Sequence, residues 1–300
     1  MRKIFAVILF FVMIGLYGCG SHESKENAKD PVDQQSEEET GDGTNEGDKE
    51  VDEESNEEEE VNEEEISEEP LDLTPPYDGT IFLDPHIVTE NDPSTFLELN
   101  FIGKEKRIMF DRRVDNWIEE EAFLFQASFS DGFTIEFQVN QEFETEDESW
   151  YQAMRFTHSI GQLSAVLKSE IHSVTIHKGY NPFGGGNNNI LIHTEQADAY
   201  IQEGILEETL IHEGTHTSID PFHFDQNDWL DAQTLDGRFI STYAQDFPDR
   251  EDLAESFLLY VAAKYRADRI SQQLLDTINE IMPNRLEYFE NQDFDMRPYH

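Results

Sequence analysis

The chain has 300 residues, with 66 acidic side chains against 20 basic ones and a formal net charge of −46 at pH 7. A protein this acidic repels phosphate backbones, so nucleic acid is excluded as a partner. It holds a single cysteine, which rules out an intrachain disulfide.

Arg2 and Lys3 precede an apolar run from Ile4 to Leu16, followed by Tyr17-Gly18-Cys19. A basic start, a short apolar core and small residues read as a secretory signal over 1–19, too short for an ordinary membrane span. Leu16-Tyr17-Gly18-Cys19 resembles the lipobox of bacterial lipoproteins, although Tyr17 is bulkier than that pattern usually has. The resemblance implies lipid on Cys19 and an extracytoplasmic protein anchored to the cell membrane. Residues 20–70 then carry 23 acids and 3 lysines with almost no apolar side chains. Such a stretch cannot bury enough surface to offset its ordering entropy, so 20–74 is expected to be a disordered, self-repelling acidic tether.

Thr74-Pro75-Pro76-Tyr77 marks the entry to a domain spanning 75–300, roughly 225 residues and enough for one sizeable core. Phe123–Phe129 and Phe133–Val139 alternate aromatics around Ser130-Asp131-Gly132, which predicts a hairpin. Trp150, Met154, Ile160, Leu163 and Leu167 predict a helix over about 147–168. Ile171–His177 and Asn189–Thr194 read as strands, with His172 and His177 as structural histidines. Between them, Gly184-Gly185-Gly186 lacks the lysine and serine of a phosphate loop. Three glycines there suit a close backbone approach or a mobile loop.

Ile211-His212-Glu213-Gly214-Thr215-His216 holds an H-E-x-x-H motif. Four residues advance about 400° around a helix, so both imidazoles face one side and reach one metal ion. Glu213 stands beside that ion and takes a proton from a bound water. Leu206, Leu210 and Ile211 supply the apolar face, and Glu207 and Glu208 suit a helix N-terminus. A metzincin continuation fails, because Ile219 and Phe222 occupy its glycine and third-histidine positions. Asp220 either ligates, caps the helix end or supports a ligand, since Pro221 stops the helix there. Asp225–Asp231 is acidic but misses the calcium-loop pattern at Trp229 and Leu230.

Pro248-Asp249 predicts a further helix start, with Leu253, Phe257 and Val261 at helical spacing. Glu251 and Glu255 then lie one turn apart, and Ala254 keeps that face slim. One of these carboxylates completes a two-His, one-Glu zinc site, and the other accepts the free N–H of a ligand histidine.

H-E-G-T-H followed by Glu251-Asp252-Leu253-Ala254-Glu255 resembles the gluzincin zinc metallopeptidases, and Tyr243-Ala244 with Glu251 to Phe257 is similar to the peptidase domain of the anthrax lethal factor type. The spacing from Tyr243 to Glu251 is one residue longer than in that relative. The resemblance implies Glu251 as third ligand, Glu255 behind a ligand, Glu213 as general base and Tyr243 as a hydroxyl near Zn²⁺. It also implies an edge strand over 188–194, with Asn189, Leu191 and His193 beside an extended substrate. The expectation is an α+β, zincin-like domain: a mixed twisted sheet with an edge strand, the motif helix, and a mainly helical C-terminal part. Its activity would be zinc-dependent cleavage of a peptide or protein. The alternative is a non-catalytic surface lipoprotein that carries a structural zinc and serves as a binding module.

Overall fold

The computed structural model describes residues 73–83 and 87–299. The signal segment with Cys19, and the tether up to residue 72, lie outside the described residues. Among the described residues no helix is long and apolar enough to cross a membrane.

The strands β1 (Phe96–Asp111), β2 (Asn116–Phe129) and β3 (Thr134–Asn140) form an antiparallel meander. Two helices follow, α1 (Glu146–Gln162) and α2 (Ala165–Lys168). Next come β4 (Ser173–His177), β5 (Gly184–Gly186) and β6 (Asn189–His193). The remainder is helical: α3 (Thr194–Glu203), α4 (Leu206–Ser218), α5 (Asp220–His223), α6 (Asn227–Asp236), α7 (Thr242–Asp246), α8 (Asp252–Tyr265), α9 (Gln272–Ile281) and α10 (Pro283–Glu290). The result is a mixed α+β domain on one six-stranded sheet of order β1-β2-β3-β4-β6-β5. β3, β4 and β6 run parallel, and β5 runs antiparallel to β6.

The aromatic alternation behaves as its period requires. Phe125 pairs with Phe137 and Phe123 with Val139, and all four side chains are buried. Leu124 faces the other way, into a small second cluster with Met109 and Ala122. β1 was not foreseen, and β2 begins seven residues before the predicted strand. The helix expected over 147–168 is two helices, because Leu163 and Ser164 are extended. The first amides of α2 donate instead to carbonyls of the C-terminal segment, Ala165 N to Arg297 O at 2.9 Å and Val166 N to Asp295 O at 3.0 Å.

The expected edge strand is corrected. β6 lies between β4 and β5, so Asn189, Leu191 and His193 belong to an interior strand. The triglycine is the outer strand, joined to β6 by Asn187 and Asn188, both with positive φ as a two-residue hairpin turn demands. Glycine is required at 185 by a close approach: a Cβ there would lie 2.0 Å from Glu213 O and 2.9 Å from His216 Cβ. The outer strand thus rests directly on the motif helix α4.

On the other side of α4, a buried ion network fixes α8. Arg285 Nε donates to Asp236 Oδ2 at 2.8 Å and its Nη1 to Asp252 Oδ1 at 2.5 Å, while Gln233 Nε2 donates to Asp252 Oδ2 at 2.9 Å. These bonds join α6, α8 and α10 at the residue next to Glu251.

The two glycines beside the motif make opposite predictions. Gly185→Ala is expected to cost about 3 kcal/mol by overpacking against α4. Gly214→Ala meets only ordinary contacts, the nearest being Leu167 Cβ at 3.5 Å, and is expected to gain up to about 1 kcal/mol of helix propensity. Thermal unfolding of both variants beside the wild type checks this.

Candidate metal centre

Helix α4 carries His212, Glu213 and His216, its inner face sealed by Leu206, Leu210 and Ile211, all buried. Glu251 is the N-cap residue of α8 rather than a residue inside it, because Pro248–Arg250 form a turn and not the first helical turn. Its amide donates to Phe247 O at 2.8 Å. One turn on, the Glu255 amide donates to Glu251 O at 2.9 Å, so both carboxylates face α4.

The three nearest groups converge. His212 Nε2 and His216 Nε2 are 3.0 Å apart. Glu251 Oε2 lies 3.1 Å from the second and 3.3 Å from the first. His212, His216 and Glu251 form a group that can hold a metal ion.

What stands behind each ligand decides which atom faces the centre. Asp220 Oδ2 is 2.5 Å from His216 Nδ1 and accepts its N–H, which leaves the Nε2 lone pair pointing inward. Glu255 Oε1 faces His212 Nδ1 at 3.5 Å, close enough to act on the other ring by its charge. His212 Nε2, His216 Nε2 and Glu251 Oε2 thus aim at one point. Only a cation or shared protons relieve that arrangement.

Glu255 is fully buried, and its remaining acceptor sites are filled from the segment that enters the domain. Thr80 donates its hydroxyl to Oε1, and Ile81 N donates to Oε2 at 3.1 Å. Ser241 Oγ also donates to Oε2, at 2.9 Å. Glu208, one turn before His212, is likewise fully buried and accepts Leu83 N at 2.8 Å and Ile87 N at 3.2 Å. Leu83 and Ile87 therefore strap α4 from behind, and Thr80 and Ile81 do the same for α8. Glu208 had suggested only a dipole-favoured acid at a helix start; its burial adds a tertiary anchor.

Glu213 is 8% exposed and near enough to the buried Tyr200 that burial first, and then the Glu213 charge, push the phenol's pKa up. Tyr243, on α7, packs its ring against Phe247 at 5.3 Å and hydrogen-bonds both Glu251 and Arg250. Burial, followed by the Glu251 charge, raises its pKa and keeps the hydroxyl protonated. Arg250, which sequence reasoning passed over, binds the outer oxygen of Glu251: Nε and Nη2 donate to Oε1 at 2.8 and 2.6 Å.

Two other histidines are placed elsewhere. His193 does not line a cleft: it is fully buried, its Nδ1 is 3.1 Å from Lys178 O and its ring stacks on His177 at 5.5 Å. Burial lowers its pKa to about 4, so it is neutral. His223 Nδ1 bonds the Tyr288 hydroxyl at 2.6 Å. No protein-family model matches the chain, and neither curated proteins nor solved structures contain a match.

Burial opposes charge on His212 and His216. The carboxylates outweigh it: hydrogen bonding to Glu251 raises His212, and Asp220 with Glu251 takes His216 well above its ordinary value. In turn burial would raise Glu251, but the two imidazoles hold it well below the usual carboxylate range. The ion-free centre therefore holds protons on the histidine pair more firmly than free imidazoles do. These protonated groups stabilise the ion-free fold at low pH, and that contribution is lost as pH rises through their raised pKa.

A cation must displace those protons. Metal uptake at pH 7 is expected to release about one proton or more per chain, with affinity rising as pH rises. Calorimetric titration in buffers of different ionisation enthalpy reads this directly; proton-neutral uptake would contradict it. Separately, Thr80→Val leaves a buried Glu255 oxygen without its hydroxyl partner. It is expected to weaken metal affinity by about 10- to 100-fold, measured by competition with a chelator.

Proposed function

We propose that this chain is a zinc-dependent metallopeptidase of zincin type, exported and held at the outer face of a cell membrane by lipid on Cys19. One observation carries the reading: two ring nitrogens from an H-E-x-x-H helix and one carboxylate oxygen from the next packed helix point at one place. Two imidazoles and a carboxylate suit Zn²⁺ in the three-ligand form that keeps a fourth position open.

Bound there, zinc supplies Lewis-acid polarisation of a carbonyl and a water acidic enough to react near neutral pH. Glu213, next to His212 on the same helix, would serve as the general base and then return the proton to the leaving amine. The protonated Tyr243 hydroxyl donates to negative charge as it develops on the carbonyl oxygen. Asp220 holds the His216 imidazole in the tautomer that the chemistry needs, and the Glu255 carboxylate faces His212 Nδ1 at 3.5 Å. An extended peptide meets β5, the outermost strand beside α4, rather than β6.

A non-catalytic module with a closed zinc site would recruit a fourth ligand from His193, His223 or Asp220. Each is engaged: His193 with Lys178 O, His223 with Tyr288, and Asp220 behind His216. These engagements support the open, catalytic form.

Residues 71–300 are expected to purify with about one zinc per chain and to cleave a broad peptide mixture. Glu213→Gln should keep the metal and lose hydrolysis by about 10²- to 10⁴-fold, whereas Glu251→Ala should lose the metal. Full hydrolysis by Glu213→Gln, or a wild type that takes up no zinc, overturns the proposal.

A further inference from the structure

The two oxygens of Glu251 have different partners. Oε2 faces the centre, 3.1 Å from His216 Nε2 and 3.3 Å from His212 Nε2. Oε1 is turned away and receives two donors from one side chain, Arg250 Nε at 2.8 Å and Nη2 at 2.6 Å. The carboxylate itself is almost fully buried, whereas the guanidinium is half-exposed and rests over the Phe247 ring, 5.8 Å from its centroid. Tyr243 hydrogen-bonds the same pair.

We propose that Arg250 is a positioning residue that makes Glu251 a one-oxygen ligand. The inference rests on the metal reading above and goes beyond it, because nothing in the H-E-x-x-H pattern calls for an arginine at this place. A carboxylate near a divalent ion can offer one oxygen or both. Offering both would use up the coordination position that a water or a carbonyl needs. A guanidinium holding Oε1 from outside competes for that oxygen with a charge-assisted, geometrically fixed bond. It also anchors the side chain, so the inner oxygen stays on the line to both imidazoles. Its location supports this role: the turn Pro248–Arg250 leads into the N-cap, and its amides bond Phe247 O at 3.1 Å and 2.8 Å, from Arg250 and Glu251. Backbone and side chain therefore hold Glu251 from the same turn. Arg250 acts through Glu251, whose outer oxygen it holds.

The test uses the full-length chain loaded with Zn²⁺ or Co²⁺, in wild type, Arg250→Met and Arg250→Lys. Zinc affinity is read by chelator competition at fixed pH, coordination by the visible absorption of Co²⁺, and folding by thermal unfolding without metal. Arg250→Met is expected to bind zinc about 10- to 100-fold more weakly, with Co²⁺ bands that lose intensity as the second oxygen joins the coordination shell. Arg250→Lys should recover part of both, since an ammonium still binds Oε1. Wild-type affinity and spectrum in Arg250→Met would overturn the proposal. So would weaker affinity with an unchanged Co²⁺ spectrum, because Arg250 would then only stabilise the turn. A wild type that binds neither metal removes the site itself and with it the peptidase reading, an outcome separate from the failure of Arg250 alone.

Discussion

Three acceptor atoms converging on one buried point is the constraint around which this domain is arranged. Without a cation or protons between them, two imidazole lone pairs and a carboxylate repel at the 3.0–3.3 Å separations observed. Such a cluster persists only where the surroundings over-determine it. Here every inward-facing atom is held by a partner behind it: Asp220 behind His216, Glu255 beside His212, Arg250 on Glu251. The supports in turn have supports, since Thr80, Ile81 and Ser241 fill the remaining acceptor sites of Glu255.

These supports come from distant parts of the chain. Leu83 and Ile87 reach α4 across more than a hundred positions, and Arg285 reaches Asp252 across 33. β5 presses on α4 from the sheet, and only a glycine backbone fits between them. Local propensity alone would produce α4 and α8 as separate helices. Their register against one another is a tertiary product of the strap, the glycine strand and the buried Asp236-Arg285-Asp252 network. The centre therefore exists only in the assembled fold, and a cation held there would be linked to folding.

The sequence was legible where spacing and burial coincide. The motif helix, the hairpin around Asp131 and the i, i+4 pair Glu251 and Glu255 can be read from period alone. β1 could not, because no side chain from Leu97 to Ile108 is fully buried: Ile108 is 68% exposed beside Lys106 and Arg107, and the alternation dissolves. Gly184–Gly186 shows no strand propensity, and the family resemblance puts the edge instead at the apolar run beside it. Strand order is a long-range property, and a two-residue Asn-Asn turn was the one local signal that placed the glycines in a hairpin. Thr80 and Arg250 left no pattern at all, since a single hydroxyl or guanidinium gains meaning only from the carboxylate it meets.

The acidic composition hid the most informative residues. In a chain with 66 acids, Glu208 and Asp252 read as solvated charge, and Glu255 stands out only by its spacing from Glu251. The structure separates them by solvation, since all three are fully buried. A buried carboxylate is tolerated only when donors replace its water, and each of these has several: two amides on Glu208, an arginine and a glutamine on Asp252, two hydroxyls and an amide on Glu255. All three stand within one helical turn of a converging ligand, Glu208 before His212, Asp252 and Glu255 after Glu251. Apolar side chains at those positions would fill the core without the desolvation cost, but they could not accept the amide N–H groups of Ile81, Leu83 and Ile87. The buried acids fit the task of directing hydrogen-bond donors toward the centre, which is why they cluster there while the rest of the acidity stays in water.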